Sequence, residues 1–143
     1  MEYLVYVFMF ITLYFQIFLL VSFFEKKKKH IQTTEYKKLS TTIIVPCYNE
    51  EKTVQRTIES LLDLDYPTDK LTILVVDDGS TDNTWNAIQA YTHHENVIAM
   101  QKENEGSKFA ALNFALKHVT TELVGVLDAD SWVAPDALIR YME

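Results

Sequence analysis

Four short apolar runs punctuate this chain: Thr41 to Val45, Leu71 to Val76, Val97 to Met100 and Leu123 to Leu127. Stretches of helical periodicity separate them. A connection long enough to hold a helix returns the chain to the same end of a sheet, so this alternation specifies parallel pairing. Polar residues do not alternate within the runs, which predicts that both faces of the sheet are covered. The expected fold is therefore α/β, a parallel Rossmann-like sheet in a three-layer sandwich. Sheets of this kind bind ligands beyond the carboxyl ends of their strands.

The segments between the runs carry helix signals. Asn49 is expected to cap the first helix, with Glu50 and Glu51 in its favoured first turn and Val54, Ile58, Leu61 and Leu62 on its inner face. Pro46 is expected to end the first strand, because a central strand has no use for a residue without an N–H. Gly79 permits a tight turn, and Ser80 to Asp82 offer caps for a helix bearing Trp85, Ile88 and Tyr91. Gly106 and Ser107 lead into a helix expected to turn Phe109, Leu112, Leu116 and Val119 inward. Pro135 opens the last one.

The chemistry gathers at the strand ends. Pro46 to Glu50 follow the first strand, Asp77 and Asp78 the second, and Asp128-Ala129-Asp130 the fourth. Residues i and i+2 of an extended strand point the same way. Asp128 and Asp130, held roughly 6–7 Å apart, would then repel by about 2–3 kcal/mol at an effective dielectric near 20. A hard divalent cation shared with a substrate phosphate would offset that repulsion. An isolated Asp-x-Asp is more simply a solvated loop, and the equivalent placement of three polar clusters is what argues for one acidic site. Asp78 offers acceptor oxygens to a ribose diol or a base N–H. Lys108 opens a helix, where the dipole disfavours a cation. It reads equally as a partner for an anionic ligand or as a solvated side chain.

Composition removes several classes. The net charge of −7 leaves no basic surface for nucleic acid, and the single cysteine, Cys47, excludes an internal disulfide and a multi-cysteine zinc site. Cys47 is most simply a small packed residue. Gly-x-Gly-x-x-Gly and Walker-type phosphate loops are absent.

Residues 3–24 are almost wholly apolar and uncharged, long enough to cross a hydrocarbon core of about 30 Å as a helix. Aromatic residues sit near both ends of the segment. A cleavable signal needs a basic start and a small-residue cleavage site; here Glu2 precedes the run and Phe23-Phe24-Glu25 closes it. The segment is expected to be an uncleaved membrane anchor. Lys26 to Lys29 follow directly, which by the positive-inside rule places the N-terminus outside and the rest in the cytoplasm. Residues 25–40 read as a basic linker and 41–143 as the domain proper.

Taken together, Ile43 to Glu51, Val75 to Asp82, Asn104 to Lys108 with Ala111-Leu112-Asn113, and Leu127 to Asp130 resemble the motifs of family 2 glycosyltransferases, which have the GT-A fold. An anchor followed by a cytoplasmic domain is similar to the membrane-bound polysaccharide synthases. The resemblance implies a nucleotide-diphosphate sugar donor, commonly a UDP-sugar, with Mg²⁺ or Mn²⁺, and inverting transfer to a glycan or lipid acceptor. It implies that Pro46, Tyr48, Asn49, Glu50 and Asp78 hold the nucleoside with help from Asp77. Lys108 would contact the nucleotide, and Asp128 and Asp130 would face the diphosphate, with Asp130 the direct metal ligand. Family members continue into an acceptor-binding half that supplies the catalytic base. Asp136 and Glu143 are not positioned to replace it, so the base is expected beyond Glu143. The chain is expected to be the donor-binding half, a fragment or truncated frame.

Two other classes fit parts of the pattern. A non-catalytic nucleotide-sugar-binding or scaffold fragment would keep the fold without the base. A receiver-like signalling domain also pairs aspartates with a lysine, but there the lysine follows a later strand, whereas Lys108 precedes the fourth.

Overall fold

A computed structural model describes residues 2–24 and 38–142. The chain divides into two compact units, the first holding the N-terminal helix and the second holding the α/β domain. In the first unit, α1 (Glu2–Phe24) is a single helix. Among the described residues it is the one helix long and apolar enough to cross a membrane. The Lys26 to Lys29 run and most of the basic linker lie outside the described residues.

The second unit contains β1 (Thr41–Cys47), α2 (Val54–Leu62), a 3₁₀ turn (Thr68–Lys70), β2 (Leu71–Asp77), α3 (Thr84–Gln89), β3 (Val97–Gln101), α4 (Lys108–Leu116), β4 (Leu123–Val126) and α5 (Ala137–Met142). The four strands form one sheet in the order β3-β2-β1-β4. All pairings are parallel, with Ile44 opposite both Leu74 and Val126. The last residues of the expected linker dock on this unit. The Ser40 backbone N–H donates to Glu122 Oε2 at 3.0 Å, and the Leu39 carbonyl accepts from the Tyr66 hydroxyl at 2.6 Å.

Alternate residues of each strand feed two layers. Ile43, Val45, Ile73 and Val75 pack with Val54, Ile58, Leu61 and Ile88 on the α2–α3 side. Ile44, Leu74 and Val76 pack with Ala111 and Ala115 of α4 on the other. Ile44, Ile58, Leu61, Ile73, Leu74 and Ile88 are essentially fully buried. Each such side chain stabilises the fold by about 1.5–3 kcal/mol.

Three local expectations are corrected. Pro46 does not end β1; it pairs with Val76 in register. In a parallel ladder, successive residues direct their N–H and C=O alternately to the two neighbours. The Ile44 carbonyl accepts from Leu127 N at 3.0 Å, so residue 46 faces the β4 side, beyond the last residue of that strand. The missing N–H therefore breaks no ladder bond. Asn49 is not a helix cap: α2 starts at Val54, after Thr53, and Asn49 sits at φ +56° in the connecting loop. Finally, α4 does not bury Phe109 or Leu116, which are 76% and 50% exposed, but lays Ala111 and Ala115 on the sheet. This helix is apolar on several sides, so periodicity does not select a face, and the small residues allow the closest approach.

Candidate active site

The chain steps from β1 to β2 to β3 in one direction, then crosses back to place β4 on the other side of β1. That reversal opens a crevice at the carboxyl ends of β1 and β4. A cavity of about 520 Å³ lies there, and residues following all four strands reach it.

At the end of β1, the loop from Tyr48 to Thr53 is tied to the loop after β2. The Asn49 N–H donates to Ser80 Oγ at 2.9 Å, and Asn49 Oδ1 accepts from Thr81 N at 2.8 Å. The Glu50 N–H donates to Thr84 Oγ1 at 2.7 Å, while its carbonyl accepts from Val54 N at 3.0 Å. The left-handed backbone at Asn49, a conformation Asn tolerates better than most residues, aims these groups. Pro46, Cys47, Tyr48 and Glu50 line the cavity, with Tyr48 half exposed at its edge. Burial, then the charges of Asp77 and Glu50, push the Cys47 thiol well above its ordinary range.

At the end of β2, two adjacent aspartates diverge. Asp77 is fully buried and its carboxylate is consumed internally. Oδ1 accepts from the Ser80 backbone N–H at 3.1 Å and from the Ser80 hydroxyl, and Oδ2 accepts from Gln101 Nε2 at 2.8 Å. Asp78, one residue on, lines the cavity, and its Oδ1 accepts from Lys102 Nζ at 2.7 Å. Gly79 makes the turn at φ +66°, and a Cβ there would meet the Asn104 backbone nitrogen at 2.7 Å. The loop after β3 thus closes directly over this turn.

At the end of β4 the acidic pair does not lie on an extended strand. Ser131 N donates to the Asp128 carbonyl at 3.0 Å, closing a tight turn. Ala129 is buried within the α2-side core, and both flanking aspartates are exposed. The pair shares one side because the turn buries its middle residue, not because of strand alternation. Thr57 of α2 fixes this arrangement: its Oγ1 lies 2.8 Å from the Ala129 carbonyl and 2.6 Å from that of Ser131. Lys108 Nζ forms an ion pair with Asp128 Oδ1, both side chains being about half exposed. Ser107 caps α4, its Oγ accepting from Phe109 N at 3.3 Å.

The cavity therefore gathers Pro46, Tyr48, Glu50, Asp78, Lys108, Asp128 and Asp130, whereas Asn49 and Asp77 hold its walls from behind. Asp136 does not line it and pairs with Arg140 on α5. Sequence reasoning missed Lys102 and Thr57, whose importance comes from partners remote in sequence. It also read Cys47 as a packed residue, which it is, although it lines the cavity too. Among the described residues, no group of three or more His, Cys, Asp or Glu is placed to hold a metal ion. Asp128 and Asp130 offer two accessible hard-oxygen donors, which suits a cation that takes its remaining ligands from phosphate and water.

The sequence profile of glycosyl transferase family 2 matches residues 42–143. The chain belongs to the family 2 glycosyltransferases. Among its relatives in that family, poly-beta-1,6-N-acetyl-D-glucosamine synthase of Staphylococcus epidermidis is 35% identical over 102 residues, covering 71% of this chain and 24% of that protein. The Staphylococcus aureus poly(ribitol-phosphate) beta-N-acetylglucosaminyltransferase TarS is 35% identical over 98 residues, covering 68% and 17%. The crystal structure of TarS 1-349 in complex with UDP-GlcNAc superimposes with a TM-score of 0.67 at 32% identity, covering 71% of this chain and 30% of that one. Mannosyltransferase PcManGT from Pyrobaculum calidifontis, in complex with GDP-Man and Mn²⁺, gives 0.66 at 36% identity, covering 70% and 30%. The GT-A fold expected from the motifs is thus the fold observed. The chain spans about a quarter of the length of the first of these relatives.

Proposed function

We propose that this chain is the donor-binding part of a membrane-anchored glycosyltransferase that uses a nucleotide-diphosphate sugar, a UDP-sugar first. The observation that carries this reading is the cavity at the strand-order reversal, lined by Asp78 after β2 and by Asp128 and Asp130 after β4. The strands bearing these ends flank β1, so the two ends stand about 10 Å apart at ordinary strand spacing. A nucleoside at Asp78 and a diphosphate at the Asp128–Asp130 turn would occupy that length. Donors named for relatives, UDP-GlcNAc in TarS and GDP-Man in PcManGT, have this chemistry.

In this reading Pro46, Tyr48 and Glu50 wall the nucleoside, and Asp78 accepts a hydrogen bond from it. Asn49 and Asp77 act through the loops they hold. Asp130 and Asp128 would hold Mg²⁺ or Mn²⁺, which when bound supplies Lewis-acid neutralisation of charge on the leaving diphosphate. Lys108, already paired with Asp128, adds a positive charge on the same side of the cavity. Transfer would go with inversion to a glycan or lipid hydroxyl. The α1 helix would anchor the domain at the cytoplasmic face, with the N-terminus outside, where such donors are available.

Calorimetry tests this on the full chain in detergent. UDP and UDP-GlcNAc should bind in the presence of Mn²⁺ and lose most of their affinity in EDTA. A folded sample that binds neither, with or without metal, would sink the reading.

A further inference from the structure

Among the described residues, one cation lines the cavity beside four carboxylates: Lys108, with Glu50, Asp78, Asp128 and Asp130. Its Nζ is paired with Asp128 Oδ1, the two side chains being 53% and 54% exposed. Asp130, the other acid of the turn, meets the Ser131 hydroxyl at 3.3 Å and no cation among the described residues. Asp78 is also held by a lysine, but there both side chains are only 8% exposed. The pair at Asp128 stands in water and is worth only about 0–1 kcal/mol. Lys108 occupies the first turn of α4, where the helix dipole favours an anion and disfavours an ammonium. Its pairing with Asp128 offsets that penalty. Just before the helix, Gly106 has no atom within 4 Å of where a Cβ would stand, its chain neighbours aside, so the chain leading to Lys108 stands clear of the fold.

We infer that Lys108 is a positioning residue that makes metal and diphosphate binding depend on each other, by holding Asp128 until a diphosphate takes the lysine. An ammonium on Asp128 Oδ1 and a metal ion on the same oxygen exclude each other, because both are cations seeking the same lone pairs. A metal that arrives by itself has to break the pair and leave the ammonium close by without a new partner. A diphosphate at the start of α4 offers the ammonium several acceptor oxygens, on the side that the helix dipole favours. Asp128 is then free to join Asp130 on the metal. The four-carbon stem of the lysine permits the exchange, and an exposed pair costs little to open. Such coupling is reciprocal: the factor that diphosphate adds to metal affinity, metal adds to diphosphate affinity. This inference rests on the donor-binding reading above and deepens it, since it concerns how that site is filled.

Electron paramagnetic resonance of free Mn²⁺ and calorimetry of UDP test it on the full chain in detergent, comparing the wild type with Lys108→Met. Without nucleotide, Mn²⁺ should bind Lys108→Met about three- to fivefold more tightly, the size of an exposed ion pair. With UDP bound, the two proteins should hold Mn²⁺ to within about twofold of each other. UDP affinity should therefore fall about three- to fivefold in the variant when Mn²⁺ is present, and change by less than about twofold when it is absent. In an Asp128→Asn background the gain in Mn²⁺ affinity should vanish. A gain that persists there means repulsion between cations rather than cover of Asp128, and overturns the inference. Mn²⁺ affinity without nucleotide that stays the same or falls in Lys108→Met overturns it too. So does a loss of UDP affinity equally large with and without metal, which would make Lys108 a plain phosphate contact and leave donor binding intact. Failure of the wild type to bind UDP under any of these conditions removes the donor-binding reading and this inference with it.

Discussion

The two acidic ends of the cavity start from the same sequence motif, a pair of carboxylates after an apolar strand, and finish in opposite states. At the β2 end, Asp77 and Asp78 are 0% and 5% exposed and are matched to Ser80, Gln101 and Lys102. At the β4 end, Asp128 and Asp130 are exposed and meet Lys108 and Ser131. A buried, fully matched carboxylate is expensive to disturb, because removing one partner strands the other. An exposed ion pair is worth about 0–1 kcal/mol, so its members can exchange partners readily. At the first end Asp77 is spent on holding a shape, whereas at the second both carboxylates are open to exchange partners.

Breaking the buried end should have the largest effect. Asp77→Ala leaves Gln101 and the Ser80 N–H without their acceptor, and should destabilise the domain by about 3 kcal/mol. Urea denaturation measures this, and a change under about 1 kcal/mol would erase the contrast between the ends. Next, Asp130→Ala should leave stability within about 0.5 kcal/mol, since the side chain is exposed, yet reduce Mn²⁺-dependent UDP-sugar binding by about 100-fold. Unchanged binding would make the turn an ordinary surface loop.

Smaller effects sharpen the comparison. Thr57→Val keeps the shape of the side chain but removes the hydroxyl beneath the acidic turn, leaving the Ala129 carbonyl without its donor. It should lower stability by about 1.5 kcal/mol and weaken metal-dependent binding by about tenfold while nucleoside affinity stays unchanged. Loss of both affinities together would show that the ends are mechanically coupled. Lys108→Met should alter stability by less than about 0.5 kcal/mol and reduce diphosphate affinity about fivefold, an effect that fades at high salt.

The frame of this molecule was legible in its sequence, whereas the wiring of the site was not. Thr41 to Val45 and Leu71 to Val76 announced themselves because strands covered on both faces must be apolar throughout. Asn49 misled because the residue that caps helices well also tolerates the left-handed backbone, and only the position of Ser80 and Thr81 decides between them. Strand alternation is the wrong reason for the shared side of Asp128 and Asp130, because the burial of Ala129 that sets it is a tertiary fact. Lys102 gave no local signal, since its partner Asp78 lies 24 residues earlier and its surroundings read as a polar loop.

The mildest prediction uses Cys47 as a reporter of the buried end. The thiol lies 2% exposed at the end of β1, and burial, followed by the charges of Asp77 and Glu50, raises its affinity for the proton in the folded state. The unfolded thiol titrates near about 8.5. The folded chain therefore holds a proton that the unfolded chain releases, so this stability is fully present below that value and falls as pH rises above it. The loss should be about 0.8 kcal/mol at pH 9, and Cys47→Ala should flatten the profile. Tyr91, pushed up to about 12 by burial and by its hydrogen bond to Glu59, acts in the same direction, as does Lys102 with its bond to Asp78. Both begin to matter only above about pH 10, where their unfolded counterparts titrate, which leaves the window from about pH 8.5 to 10 to Cys47. Repeating the measurement in Asp77→Asn separates burial from charge. The slope should begin at the same pH, because the unfolded thiol sets that point, and should persist, because burial is a larger cause than the charge of Asp77. A profile identical to that of Cys47→Ala would mean that the charge at Asp77, not burial, had protected the thiol, and the β2 end would then be an electrostatic rather than a packing device.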